Sequence, residues 1–321
     1  MAVKAGLMAL VVAALTSTEL SPVSAADVET TPDVHFMAHF NVAAGQRPEN
    51  ISLTPNGGAD VTFAYNQQVA QVSPSGRTHI LATMPKPPAG SVTPALKQAF
   101  LGGITRAQNG TLYFLYATGT SQLTGLYRLR PGGTPQRIAA LPAKSLPNGM
   151  ALDMRTGLLY IADSVGGTVW RVPATGGTPT KWVTSPALAP IDFLGANGVK
   201  LHAGALWVSN LDKGTVLRIP INKDGTAGAL HTKATGLKNI DDFAFSGHGD
   251  NILAALDKDN KVMLVRPDNG THTPVLNAAD GLQNPTSVAV RGSTMYVTSG
   301  AYFSNKDPNI LLAPAGIAQG R

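Results

Sequence analysis

Four oxygen-bearing side chains stand at one recurring place in this chain: Glu49 in PENISL, Asn148 in PNGMAL, Asn197 in ANGVKL and Asp241 in IDDFAF. Each lies two residues before an apolar one, namely Ile51, Met150, Val199 and Phe243. Two carboxylates and two amide oxygens converging on one point form a hard-ligand set, and the formal −2 of Glu49 and Asp241 balances one divalent cation. Without a cation, two facing carboxylates repel and one tends to hold a proton. A cation with open positions polarises an ester carbonyl and lowers the pKa of a bound water, and a carboxylate beside it can take that water's proton. Asp241 is the candidate for that base and Glu49 for a pure ligand. The 321 residues include no Cys, which removes thiolate metal sites, disulfides and a Cys nucleophile together. A G-x-S-x-G elbow, a G-x-G-x-x-G and a P-loop are also missing from the sequence.

The elements that must position these residues repeat. The runs QVAQVSP, GLYRLRP, GTVWRVP, GTVLRIP, KVMLVRP and NILLAP end in Pro74, Pro131, Pro173, Pro220, Pro267 and Pro314, at separations of 57, 42, 47, 47 and 47 residues. Each run alternates apolar and polar residues like a half-buried strand, and proline is tolerated where a strand stops. A second strand precedes each run, a third precedes that, and a fourth follows the proline. Six units of four strands predict an all-β, six-bladed β-propeller with four-stranded antiparallel blades. The sixth unit has no clear fourth strand, whereas VHFMAHF (Val34 to Phe40) is an orphan near the N-terminus, so this strand is expected to close the last blade.

In such a fold the first strand of each blade lines the channel, and its first residue faces one mouth. The six equivalent positions are Glu49, Gly102, Asn148, Asn197, Asp241 and Thr286. A competing explanation is that Asn and Asp at strand starts simply form turns, PNG and ANG being common turn strings. Glu49 has no such local reason to be there. Strand alternation predicts that Asp242 turns away from the channel.

The chain carries 25 Lys+Arg against 19 Asp+Glu, a net +6, but the basic residues are scattered singly, so a nucleic-acid partner is not expected. With 34 Gly, 23 Pro and 14% charged residues, the composition fits a turn-rich β protein rather than a helical bundle or a disordered chain. Lys4, the apolar run AGLMALVVAAL and the small residues ending at Ala25 have the form of a secretory signal. The expected organisation is a signal peptide at 1–25 and a single propeller domain at 26–321. The mature protein is expected to be secreted, monomeric, without a membrane partner, and to act on a small molecule.

On Glu49, Asn148, Asn197 and Asp241, the chain resembles the gluconolactonase and senescence-marker-protein family across residues 34–314. The resemblance implies a six-bladed propeller that hydrolyses lactones with one divalent cation at the channel mouth. It implies Glu49, Asn197 and Asp241 as direct ligands, Asn148 in contact with metal or substrate, and Asp241 as the proton-transfer group. Calcium is the first choice, with magnesium, manganese and zinc as alternatives. Sugar-lactone members of the family often carry Arg two residues before the first Asn, where this chain has Leu146, which points to a less polar substrate. The strings GANGV, RIPI, DDFAF and PTSVAV are also similar to a fungal branch of the superfamily that catalyses hetero-Diels–Alder cyclisations, which implies a non-hydrolytic alternative. A binding or scaffold propeller with a structural ion is a third expectation.

The loops that share the mouth are expected to shape the pocket. Met84 to Phe100 and Ser185 to Ala196 are long and apolar, and SGAYFSNKDPN brings Tyr302 and Phe303. Asp163, Ser209 and Asn210 end second strands at the same rim and are, with Tyr302 and Phe303, candidates for substrate contacts; Ser164 lies beside them. Trp170, Trp182 and Trp207 are expected in the core between blades.

Overall fold

The computed structural model describes residues 33–316 together with Met1, so all but the first residue of the expected signal segment lies outside the described residues. Six four-stranded antiparallel sheets are present. Blade 1 comprises Pro48–Leu53, Ala59–Phe63, Gln68–Val72 and Thr78–Thr83. Blade 2 comprises Phe100–Arg106, Leu112–Ala117, Gly125–Leu129 and Gln136–Ala140. Blade 3 comprises Pro147–Asp153, Leu158–Asp163, Thr168–Pro173 and Thr180–Thr184. Blade 4 comprises Ala196–His202, Ala205–Asn210, Thr215–Pro220 and His231–Ala234. Blade 5 comprises Ile240–Phe245, Ile252–Leu256, Lys261–Arg266 and Thr271–Leu276. Blade 6 comprises Pro285–Arg291, Thr294–Ser299 and Asn309–Pro314, with His35–His39 as its outer strand.

His35–His39 pairs antiparallel with Asn309–Pro314, so the N-terminal strand closes the last blade as the sequence predicts. The innermost strands touch in cyclic order, and that of blade 6 meets that of blade 1. Cohesion comes from one buried apolar cluster at each of the six blade interfaces. Trp207 and Trp182 belong to these clusters and Trp170 packs against one. Burying such side chains removes apolar surface from water at about 25 cal/mol per Å², the main force holding blade to blade. Among the described residues, no helix is long and apolar enough to cross a membrane.

In every blade the innermost strand loses register with its neighbour at the same place, near its start. The residues set free there are Glu49, Gly102–Gly103, Asn148–Gly149, Asn197–Gly198, Asp241–Asp242 and Thr286. These are β-bulges, which bend a strand and re-aim its side chains. The NG strings are therefore strand bulges and not turns. Their glycines serve close approach rather than unusual dihedrals: a Cβ on Gly149 would lie 2.1 Å from the Asn197 carbonyl oxygen, and one on Gly198 would lie 2.3 Å from Asp242 Oδ1.

Candidate functional site

The bulges bring the ring together. Glu49, Asn148, Asn197 and Asp241 are 4%, 5%, 2% and 6% exposed, so four polar side chains at equivalent places are all withdrawn from solvent. Asn197 Nδ2 donates to Asp241 Oδ1 at 2.8 Å, which leaves the Asn197 amide oxygen free. The Tyr302 hydroxyl donates to Glu49 Oε2. The two remaining ring positions carry no ligand: Gly102 has no side chain, and Thr286 Oγ1 donates to the Pro48 carbonyl at 2.9 Å, bracing blade 6 against blade 1.

Burial pushes the Glu49 carboxyl up to about 8; the Tyr302 hydrogen bond pulls it back, while Asp257 and Asp242 push it further. Burial also holds Asp241 well above the usual carboxylate range, reinforced by the charges of Glu49, Asp257 and Asp242 and opposed by the Asn197 hydrogen bond. Each shift records chiefly the cost of withdrawing a carboxylate from solvent, with neighbouring negative charge adding to it. A positive charge placed among these oxygens would lower that cost, which is how the donor set fits a hard cation. Glu49, Asn148, Asn197 and Asp241 are the residues that could hold one. Among the described residues, no three His, Cys, Asp or Glu side chains form a metal cluster by themselves, and a cation here would draw on the two asparagine oxygens as well.

Asp242 does not follow strand alternation, because the bulge keeps it on the channel side. It is 2% exposed and accepts hydrogen bonds from Asn50 Nδ2 (3.1 Å), Ser287 Oγ (2.6 Å) and Lys200 Nζ (2.8 and 2.7 Å to its two oxygens). One carboxylate thus links blade 5 to blades 1, 6 and 4 across the channel and floors the ring. Below it, a 430 Å³ cavity is lined by Ser52, Thr105, Lys200 and apolar neighbours.

The mouth loops form a roof. Phe100, Leu146 and Leu194 are buried in a seventh cluster with Ala64 and Ala117, and Tyr65, Leu96 and Tyr302 pack against it. The loop before blade 4 is clamped by Asp212, whose Oδ2 accepts the backbone N–H groups of Ile191, Asp192 and Phe193 at 2.8, 2.9 and 2.8 Å. Burial alone would raise Asp212, but the backbone donors outweigh it and hold its carboxyl below the usual range.

The rim residues singled out from the sequence divide sharply. Tyr302 reaches the ring through Glu49, whereas Phe303 is 59% exposed and its backbone N–H is held by Asn284 Oδ1. Asp163 is occupied by the backbone N–H groups of Leu146, Val165 and Gly166 and by the Trp170 indole. Ser209 Oγ donates to the Asp241 carbonyl and accepts from Gly198 N, bracing two bulges. Asn210 Nδ2 donates to the Ala187 and Ala189 carbonyls and so holds the loop before blade 4. These three shape the site from behind. Ser164 has a similar brace, donating to the Ala196 carbonyl.

Sequence reasoning missed three residues at the mouth. Arg47 donates to the Gly300 and Ala301 carbonyls and Asn305 Oδ1, fixing the loop that carries Tyr302. Tyr65 packs 5.2 Å from Tyr302, centroid to centroid. Asp257, 9% exposed, is the third carboxylate beside the ring, and burial pushes it up to about 7. It closes the run ILAALD at the position Ser164 holds in blade 3, so extending the same repeat alignment by one residue would have exposed it.

No protein-family model matches the chain, and no curated protein matches it in sequence. Solved structures do. A gluconolactonase from Xanthomonas campestris aligns with a TM-score of 0.62 at 12% identity, over 88% of this chain and 89% of that one. A calcium-binding regucalcin from Agrobacterium tumefaciens aligns with a TM-score of 0.62 at 16% identity, over 87% and 93%. Virginiamycin B lyase from Staphylococcus aureus aligns with a TM-score of 0.55 at 16% identity, over 87% and 99%. At such identities the likeness speaks for architecture, and the activities of these three proteins differ among themselves. This chain therefore shares the six-bladed β-propeller fold of the gluconolactonase and regucalcin structures.

Proposed function

We propose that the protein is a metal-dependent hydrolase of the lactonase type, acting on a small, fairly apolar lactone or ester at the channel mouth. The observation that carries this reading is the pairing of two buried carboxylates, Glu49 and Asp241, with the Asn148 and Asn197 amides at matching bulges of four blades. Calcium is the proposed ion, because the donors are all oxygen. When bound, a divalent cation would polarise the ester carbonyl and acidify water at the site.

The chain's own residues do the rest. Asp241 accepts the water proton at its carboxylate, and Asn197 Nδ2 keeps that carboxylate oriented. Tyr302 holds Glu49 in place, and Asn148 positions the substrate's polar end. The roof of Phe100, Leu146 and Leu194 excludes water and accepts the apolar part of the substrate. Turnover of a panel of alkyl lactones, with and without chelator, tests the proposal. Hydrolysis that is abolished by chelation and restored by Ca²⁺ is expected; turnover indifferent to chelation would overturn it.

The apolar roof also favours a second reading, a cyclase that folds an apolar substrate inside the pocket without hydrolysis. Under that reading cyclisation survives chelation and falls when Tyr302 or Phe100 is replaced.

A further inference from the structure

Among the described residues, Asp257 is the one carboxylate at the mouth that has a buried oxygen without a partner. Its Oδ1 is shut away from solvent and makes no hydrogen bond, although such oxygens are almost always paired. Glu49 Oε2 has Tyr302, Asp241 Oδ1 has Asn197 and Asp242 has three donors, whereas Asp257 Oδ1 has none.

The main chain at Asp257 is held from three sides. Its N–H donates to the Asn239 carbonyl at 3.1 Å, and its carbonyl accepts from Asn260 N at 3.1 Å and from Asn284 Nδ2 at 3.3 Å. Those three asparagines have φ of +62°, +55° and +60°, a left-handed conformation that Asn tolerates better than most residues. Asn284 Oδ1 in turn accepts the N–H groups of Phe303 and Ser304, so one fixed network joins Asp257 to the loop whose Tyr302 touches Glu49. The Asp257 charge also acts on Glu49, Asp241 and Tyr65, so it lies within electrostatic reach of all three.

A rigidly held, buried acceptor next to a reaction site calls for a donor from outside the protein. The formal −2 of Glu49 and Asp241 already balances one divalent cation, so the donor suited to this third carboxylate is an O–H on the substrate. We propose that Asp257 is a specificity-determining residue that accepts a hydrogen bond from a hydroxyl group of the substrate, making the preferred substrate a hydroxylated, otherwise apolar lactone. This rests on the lactonase reading above. A site built to bond a substrate hydroxyl rejects the analogue lacking it far more strongly than an apolar pocket rejects a missing methylene.

The test compares δ-decalactone with its 2-, 3- and 4-hydroxy derivatives on the full chain in Ca²⁺, together with calorimetric titration of Ca²⁺ alone. Wild-type protein is expected to prefer one hydroxy isomer by about hundredfold in kcat/KM. Asp257→Asn should shrink that preference to within about threefold, chiefly by raising KM for the hydroxy lactone; the readout is the ratio of hydroxy to parent lactone within each protein, because loss of the Asp257 charge acts on Glu49 and Asp241 equally for all four substrates. Equal turnover of all four lactones by the wild type overturns the proposal and leaves the lactonase reading standing. So does an intact preference in Asp257→Asn, or a loss of Ca²⁺ affinity beyond about tenfold in that variant, which would make Asp257 a ligand of the ion. Turnover of none of the four by a chain that still binds Ca²⁺ overturns both readings.

Discussion

Blades 5 and 2 carry the same backbone bulge and opposite chemistry. In blade 5 the freed residues are Asp241 and Asp242, set against Ala255; in blade 2 they are Gly102 and Gly103, set against Leu115. A Cβ on Gly102 would stand 3.0 Å from Phe100 Cε1, so the space that a ligand side chain fills in blade 5 is taken in blade 2 by the apolar roof. The backbone repeats because each inner strand must bend in the same way to pass its neighbour. The first residue of each bulge is free to differ, since the same bulge forms with Glu, Gly, Asn, Asp or Thr in that place. The ring is thereby lopsided, with carboxylates on blades 1 and 5, amides on blades 3 and 4, and an apolar wall from blade 2. A substrate with a polar and an apolar end has one way to lie across it.

That contrast can be broken most forcefully at its acidic side. Asp241→Asn is expected to lower lactone kcat/KM about thousandfold with thermal stability maintained, because it removes the proton acceptor but keeps the Asn197 geometry. Gly102→Ala on the opposite blade should cost only about tenfold, through KM, by tilting Phe100. Comparable losses for the two variants would mean that the ring is not divided as described.

The bulge itself is tested at Gly149, where alanine would drive a Cβ to 2.1 Å from the Asn197 carbonyl. Urea unfolding of Gly149→Ala should show a loss of about 3 kcal/mol, since backbone on both sides must shift. Beneath the ring, Lys200→Met removes the charged partner of Asp242 but not its Asn50 and Ser287 donors. Because Lys200 is partly exposed, the expected cost is smaller, about 2 kcal/mol by the same measurement.

The last effect is one of pH, read as a slope. Glu49 goes from an ordinary 4.5 to about 8 in the folded chain, Asp257 rises from 3.8 to about 7, and Asp241 is raised as well. Between those limits the folded state binds more protons than the unfolded one, so stability falls as pH rises. In chelator, the unfolding midpoint should decline by several degrees from pH 5 to pH 8. Saturating Ca²⁺ should flatten or invert the slope, because binding favours the ionised carboxylates. A flat profile in chelator would separate the acids of blades 1 and 5 from one another.

Much of this was legible in the chain. Six prolines at near-constant spacing marked the blades, and the orphan strand around His35–His39 followed from counting strands. Aligning the repeats brought Glu49, Asn148, Asn197 and Asp241 to one ring position without coordinates. The same alignment misjudged Asp242, because alternation assumes an unbroken ladder and a bulge resets it. Asp163, Ser209 and Asn210 stood at the expected rim, but whether a rim side chain faces a ligand or braces a loop depends on donors that arrive from distant segments. Leu146 N reaches Asp163, and the Ala187 and Ala189 carbonyls reach Asn210.

By itself, then, the order of residues determined the number of blades, their strands, the closing strand and the oxygen donors at the channel start. All of these are written in local periodicity, which each segment carries alone. Tertiary structure alone decided which carboxylates stay buried, which are satisfied and which is left without a donor. Burial and pairing are sums over neighbours far away in sequence: Tyr302 meets Glu49 across 253 positions, and Asp242 gathers partners from three other blades.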